Sequence, residues 1–212
     1  MELKDAIVAK AEEVFLRYGF RSVTMDDLSR EMGISKKTLY QVFANKDDLV
    51  AAVIDRHEAA EWEMIQSIHA SAKDPIEELL RIVQFFQELL RQMSPFVLYD
   101  LQKYHREVWQ KSLEADRKRK LDMILDNLHR GISTGLYRDD FTPGVIARLH
   151  LAHMETCVNI GEDNTQEECA PDFEKWVLEM MILYIRGIAS PKGLQLLQQY
   201  LNTGVSAATA AH

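Results

Sequence analysis

The stretch Thr24–Phe43 reads TMDDLSREMGISKKTLYQVF, and its punctuation decides the fold. Thr24 precedes a short apolar-periodic run, with Asp27 three residues on, the pairing of a capping box. Leu28 and Met32 face inward, and Gly33 stops the helix. Ser35 caps a second short helix from Lys36 to Phe43. Between the two lies Gly33-Ile34-Ser35. Glycine allows the positive φ that a tight turn needs, and Ile34 plugs the angle between the helices. Two helices joined in this way form a helix-turn-helix. In such a unit the second helix enters the major groove, with its N-terminal residues at the base edges. Here those are Lys36, Lys37 and Thr38, followed by Tyr40 and Gln41. Two lysines, two hydroxyls and an amide suit phosphates and bases. Leu39, Val42 and Phe43 face the core.

The charge around this stretch agrees with it. The 212-residue chain carries a formal charge of −8. Residues 17–46 nevertheless hold Arg17, Arg21, Arg30, Lys36, Lys37 and Lys46 against Asp26, Asp27 and Glu31, a local +3. A basic patch on an acidic chain attracts a polyanion to one face and repels it elsewhere. The two cysteines, Cys157 and Cys169, are too few for a disulfide framework, and neither sits in a CxxC pair. A reducing cytoplasm is the expected location. The first residues lack the apolar core of a signal peptide. No run of 18 apolar residues exists, so no membrane span is expected.

Outward from the motif, apolar residues recur at helical spacing, and period-two alternation is nearly absent. The expectation is an all-α chain of nine or ten helices. A first helix runs from Leu3 to Tyr18 and ends at Gly19. A long fourth begins at Lys46, capped by Asn45, and continues to about Ala72. Asp74-Pro75 starts a fifth, with Leu79, Ile82, Val83, Phe86, Leu89, Leu90 and Met93 on its apolar face and Glu77, Arg81, Gln84, Glu88 and Arg91 opposite. Ser94-Pro95 opens a sixth with Phe96, Tyr99, Tyr104 and Trp109. Leu121, Ile124, Leu125, Leu128 and Ile132 stripe a seventh. A turn at residues 135–141 precedes an eighth starting at Thr142-Pro143. Phe173, Val177, Met180, Tyr184 and Ile188 stripe a ninth, and Ser190-Pro191 opens a short last helix. The expected division is a helix-turn-helix domain at 1–46, a larger helical domain at 47–202 and a flexible tail at 203–212.

From Ile7 to Val53 the chain resembles the DNA-binding domain of the TetR family of tetracycline-repressor-like regulators. The matching residues are Ala11, Phe15, Gly19, Phe20, Thr24, Asp27, Leu28, Gly33, Ile34, Ser35, Lys36, Thr38, Leu39, Tyr40, Phe43, Lys46 and Leu49. Lys37 departs from the pattern, where a small residue or proline is common. The resemblance implies that Thr24, Tyr40 and Lys46 hold backbone phosphates, and that Lys36, Lys37, Thr38 and Gln41 lie nearest the bases. It implies a three-helix N-terminal domain followed by a helical ligand-binding and dimerisation domain. The eighth and ninth helices would form a four-helix bundle with those of a second subunit. The stripes at Val145, Leu149, Cys157 and Ile160, and at Phe173 to Ile188, fit that.

Other clusters read more plainly. Arg117-Lys-Arg-Lys120 is a solvated basic face. His150, His153 and Cys157 share a helical face, but on an interface helix with no second ligand cluster, so no metal is expected. Tyr99, Tyr104, His105 and Trp109 offer an apolar wall with polar tips, as a small-molecule pocket needs. No phosphate loop, GxSxG or HExxH is present, and no cofactor is implied. The expected function is a ligand-responsive regulator, a repressor by preference. As a homodimer it binds a palindromic double-stranded operator, and a small apolar or amphipathic effector releases it. The alternatives are an all-helical enzyme, or a protein-binding adaptor with a residual DNA-binding domain.

Overall fold

The computed structural model describes residues 2–92, 94, 96–159 and 173–203. Met93, Pro95, Ile160, Cys169 and the tail from 204 lie outside the described residues, as do the side chains of Leu90, Cys157 and Phe173. Among the described residues the chain forms ten helices: α1 (Leu3–Tyr18), α2 (Met25–Glu31), α3 (Lys36–Val42), α4 (Lys46–Ser71), α5 (Pro75–Gln92), α6 (Phe96–Tyr104), α7 (Arg106–Ser133), α8 (Pro143–Asn159), α9 (Phe173–Ile188) and α10 (Pro191–Thr203). The all-α expectation holds, and among the described residues the one extended contact is an isolated bridge between Tyr137 and Ala189. None of these helices is long and apolar enough to cross a membrane.

The sixth helix differs from expectation. Periodicity placed Phe96, Tyr99, Tyr104 and Trp109 on one helix. The chain instead bends at His105, and Trp109 belongs to α7, the helix that also carries Ile124 and Leu128. The bend coincides with a tertiary anchor. The His105 imidazole is buried, with Nδ1 2.6 Å from Asp47 Oδ1 and its ring edge-on to Phe20. A side chain fixed from outside the helix redirects the backbone, and periodicity does not record it.

Two compact units divide the chain. The first takes residues from 1–64 and 90–116, the second from 65–89 and 117–212. The core of the first is built from Ile7, Ala11 and Phe15 of α1, Leu28 of α2, Leu39 of α3, and Leu49, Val50 and Val53 of α4. Val97 and Leu101 of α6 complete it, and Trp109 packs at its margin. Residues 47–53 and the α6 pair therefore share one core with residues 1–46. A head of 46 residues buries a smaller fraction of its surface than a larger domain does, so added apolar partners count heavily.

The second unit packs α5, α7, α8, α9 and α10 around Ile76, Leu80, Leu128, Ala147, Leu151, Ile185 and Leu197. It also buries charge. Glu78 of α5 is 1% exposed and pairs with Arg130 and His69. Glu77, expected on the solvent face, is buried too, and its carboxylate accepts the Lys73 N–H at 2.7 Å. A carboxylate near a helix start satisfies backbone donors that would otherwise lack partners. His150 stacks on Tyr184 with ring centres 3.9 Å apart.

Candidate nucleic-acid interface

The first-turn chemistry of α2 follows from its sequence. Thr24 Oγ1 accepts the Asp27 N–H at 3.1 Å, and the Asp27 carboxylate accepts the Thr24 N–H at 3.0 Å. This reciprocal capping box satisfies two donors at the helix start. The Thr24 hydroxyl also donates to Asp27 Oδ2 at 2.6 Å. Those bonds from Thr24 hold the Asp27 carboxyl below the usual carboxylate range. Arg30 pairs with Asp27 at 2.7 Å, a turn further on.

The turn and second helix are equally local in origin. Gly33 takes φ +65, the left-handed conformation expected there. Ile34 is half-buried against the core of the first unit. Ser35 Oγ accepts the Thr38 N–H at 3.0 Å and so starts α3. Leu39 is fully buried and Phe43 nearly so, which turns the other face of α3 outward. Lys36, Lys37, Tyr40 and Gln41 are exposed, and Thr38 is half-buried beside the Ser35 hydroxyl.

These side chains are held to different degrees. Lys36 reaches back to α2, with its ammonium 2.7 Å from Asp26 Oδ1. That bond raises the Lys36 pKa. Lys36 also stands 5.9 Å from the centre of the Tyr40 ring. Lys37 and Gln41 make no side-chain bond among the described residues. Lys46 is half-buried: it donates to the Phe20 carbonyl and lies 5.8 Å from the centre of the Phe15 ring. Burial lowers its pKa, while Asp100, Asp47 and Asp27 act the other way. Asn45 caps α4 by accepting the Asp48 N–H at 2.8 Å.

The structure thus brings Thr24, Lys36, Lys37, Thr38, Tyr40, Gln41 and Lys46 onto α2, α3 and the start of α4, all within the first unit. The four residues read as a pocket fall in the same unit, not in the second. Tyr99 and Tyr104 are exposed on α6, His105 is bonded to Asp47, and Trp109 packs against the first core. Sequence reading missed two partners of the motif. Asp100 of α6 accepts the Arg21 N–H at 2.8 Å, and Arg21 itself lies over the Tyr104 ring. No local signal announces either contact.

Comparison with known proteins agrees with this geometry. Residues 7–53 match the model of the bacterial regulatory proteins of the tetR family. An uncharacterised HTH-type transcriptional regulator of Bacillus subtilis, YvaF, is 28% identical over 120 residues, 56% of this chain and 62% of its own length. This chain therefore spans less than two thirds of that relative. The HTH-type transcriptional repressor KstR2 of Mycobacterium tuberculosis is 24% identical over 149 residues, 69% of this chain and 74% of its own. A solved transcriptional regulator from Cytophaga hutchinsonii superposes with a TM-score of 0.72 at 20% identity, covering 88% of this chain and 98% of that one. These relatives are transcriptional regulators, not enzymes. With its capped helix-turn-helix, its exposed α3 face and the family match, the segment 7–53 is a DNA-binding domain of the tetR family of bacterial regulatory proteins.

Proposed function

We propose that the chain binds a palindromic DNA operator as a homodimer and represses transcription until a small apolar or amphipathic effector releases it. In this reading residues 1–46 hold the DNA and residues 47–202 hold effector and partner. The observation that carries it is the outward face of α3, where Lys37 and Gln41 are exposed and free of partners among the described residues. Unengaged donors on a recognition helix are what base edges require.

Dimerisation draws support from the second unit. Val145 and Leu149 of α8 and Leu183 of α9 are 61%, 57% and 63% exposed. Large apolar side chains at such exposure on neighbouring stripes mark an interaction surface. A two-fold partner would cover them and supply the second reading head of a palindrome. Repression is favoured because KstR2, matched over most of both chains, is named a repressor. An effector that displaced α6 would act directly on the DNA-reading unit, because Asp100 and His105 tie that helix to Arg21 and Asp47. Tyr99, Tyr104 and Trp109 are the aromatic residues through which it would be felt.

Selection of bound duplexes from random sequence by the full chain tests the reading. A palindromic site is expected, bound by a species of twice the chain mass. A reporter carrying that site should fall silent with the chain and recover with lipophilic compounds that raise its melting temperature. Recovery of asymmetric sites by a monomer, or a reporter that rises with the chain, overturns the dimeric repressor.

A further inference from the structure

The first unit carries two cations that the helix-turn-helix does not use. Arg21 lies in the loop after α1, and Lys103 lies one residue before the end of α6. The fold brings them to one aromatic ring. The Arg21 guanidinium carbon stands 5.0 Å from the centre of the Tyr104 ring, and the Lys103 ammonium 5.6 Å from the same centre. Lys103 also lies 4.9 Å from the centre of the Tyr99 ring and donates to its hydroxyl. Both tyrosines are exposed.

This pair of charges is uncompensated. Neither Arg21 nor Lys103 has a carboxylate partner for its side chain among the described residues. Two acids of the same unit are already engaged: buried Asp100 accepts the Arg21 N–H, and Asp47 bonds to His105. Like charges held close repel, and an anion between them relieves the repulsion. The patch also continues the edge of the DNA face. Lys46 donates to the carbonyl of Phe20, the residue before Arg21, and Thr24 begins α2 three residues after it.

We propose that Arg21 and Lys103, seated on Tyr104, form a second backbone-phosphate contact, which extends the DNA footprint from the helix-turn-helix onto α6. The proposal rests on the reading of the chain as a DNA-binding regulator. A guanidinium fork and an ammonium are suited to phosphate oxygens, and tyrosine hydroxyls add donors. An acidic protein surface would be drawn to the same charges. Continuity with Lys46 and Thr24 favours nucleic acid, and the chain's net charge of −8 concentrates its attraction for a polyanion on this side.

The test uses the full chain and a duplex recovered by selection, with binding measured across a range of salt. The double variant Arg21→Gln/Lys103→Gln should bind every duplex more weakly. Its log–log salt slope should fall by about 0.9 for each phosphate that is no longer neutralised, near two units per bound chain. Base preferences and melting temperature should stay as in the parent, and Lys103→Arg should keep the parental slope. If the double variant melts early, Lys103→Gln alone, on an exposed side chain, is expected to lose about one unit. An unchanged slope while Lys46→Ala still weakens binding overturns the α6 contact and leaves the regulator standing. So does a variant that binds DNA normally but no longer captures an acidic protein. If the parent chain selects no duplex at all, both readings fall together.

Discussion

The Asp100 carboxylate accepts the backbone N–H of Arg21 at 2.8 Å, across 79 residues of sequence, and is itself buried. It presses on Gly19, where a Cβ would come within 2.8 Å of Asp100 Oδ2 on a residue already at φ +84. Asp100→Ala strands a part-buried donor and should cost about 1 kcal/mol of stability. Asp100→Asn keeps an acceptor and should cost less. Urea denaturation of the two variants checks the order. Equal losses would assign the effect to the carboxylate charge, which also acts on Lys46, because Asn keeps both the volume and an acceptor.

The face of α3 should separate into base-reading and phosphate-holding residues. Lys37→Ala and Gln41→Ala should relax preference at particular base pairs, at about 1–3 kcal/mol per good base pairing. Lys46→Ala should weaken binding to all sequences and lower the salt slope by about one unit per phosphate released. Binding to a panel of single-base operator variants decides it. If Lys37→Ala weakens all of them equally, Lys37 belongs with the phosphate-holding residues.

Asp26 competes with DNA for Lys36. Its carboxylate holds the Lys36 ammonium at 2.7 Å on the exposed side of the motif. Asp26→Asn frees that charge and removes a negative one, so DNA affinity should rise and the salt slope should steepen by about 0.9. Titration of a fixed duplex at several salt concentrations measures both. Weaker binding would mean that Asp26 positions Lys36 for its phosphate or base.

Two histidines give stability opposite slopes in pH. His57 is bridged to Glu61 at 3.1 Å and Glu12 at 3.0 Å, and those carboxylates, Glu61 foremost, lift its pKa from 6.5 to about 9. A raised folded pKa stabilises fully below pH 6.5 and loses its effect as pH climbs through about 9. Burial, with a smaller push from His153, lowers His150 to about 4. Its neutral form costs nothing above pH 6.5, and stability falls as pH drops from there toward about 4. Each limb spans on the order of 3 kcal/mol at most. Stability should peak near pH 6.5. His57→Gln should flatten the alkaline limb alone and His150→Gln the acid limb alone, as read from denaturation midpoints at pH 5, 6.5 and 9.

The helix-turn-helix was legible because its signals are local. Thr24 and Asp27, Gly33, and Ser35 and Thr38 each act within three residues, and the structure realises all of them. Helix starts at Asn45, Pro75, Pro143 and Pro191 were legible for the same reason. The bonds that fix α6 were not. Asp100 to Arg21 and His105 to Asp47 join residues 79 and 58 apart, and neither shows in periodicity or capping. Glu77 misleads in the opposite way: it read as part of a polar face, yet its bond to the Lys73 N–H lets it be buried, as Arg130 does for the neighbouring Glu78. Lys46 is half legible. Its place was expected, but its bond to Phe20 was not.

Val97 and Leu101 complete a core whose other members end at Val53. A ribosome that has released the first 64 residues has therefore not released a finished head. The nascent segment must keep Phe15, Leu28 and Leu39 from other chains until α6 has emerged, some 40 codons later, a delay of several seconds at ordinary elongation rates. Cells that overproduce this protein should meet it first as a client of chaperones. A fragment cut after α4 should reach the purification column as an aggregate.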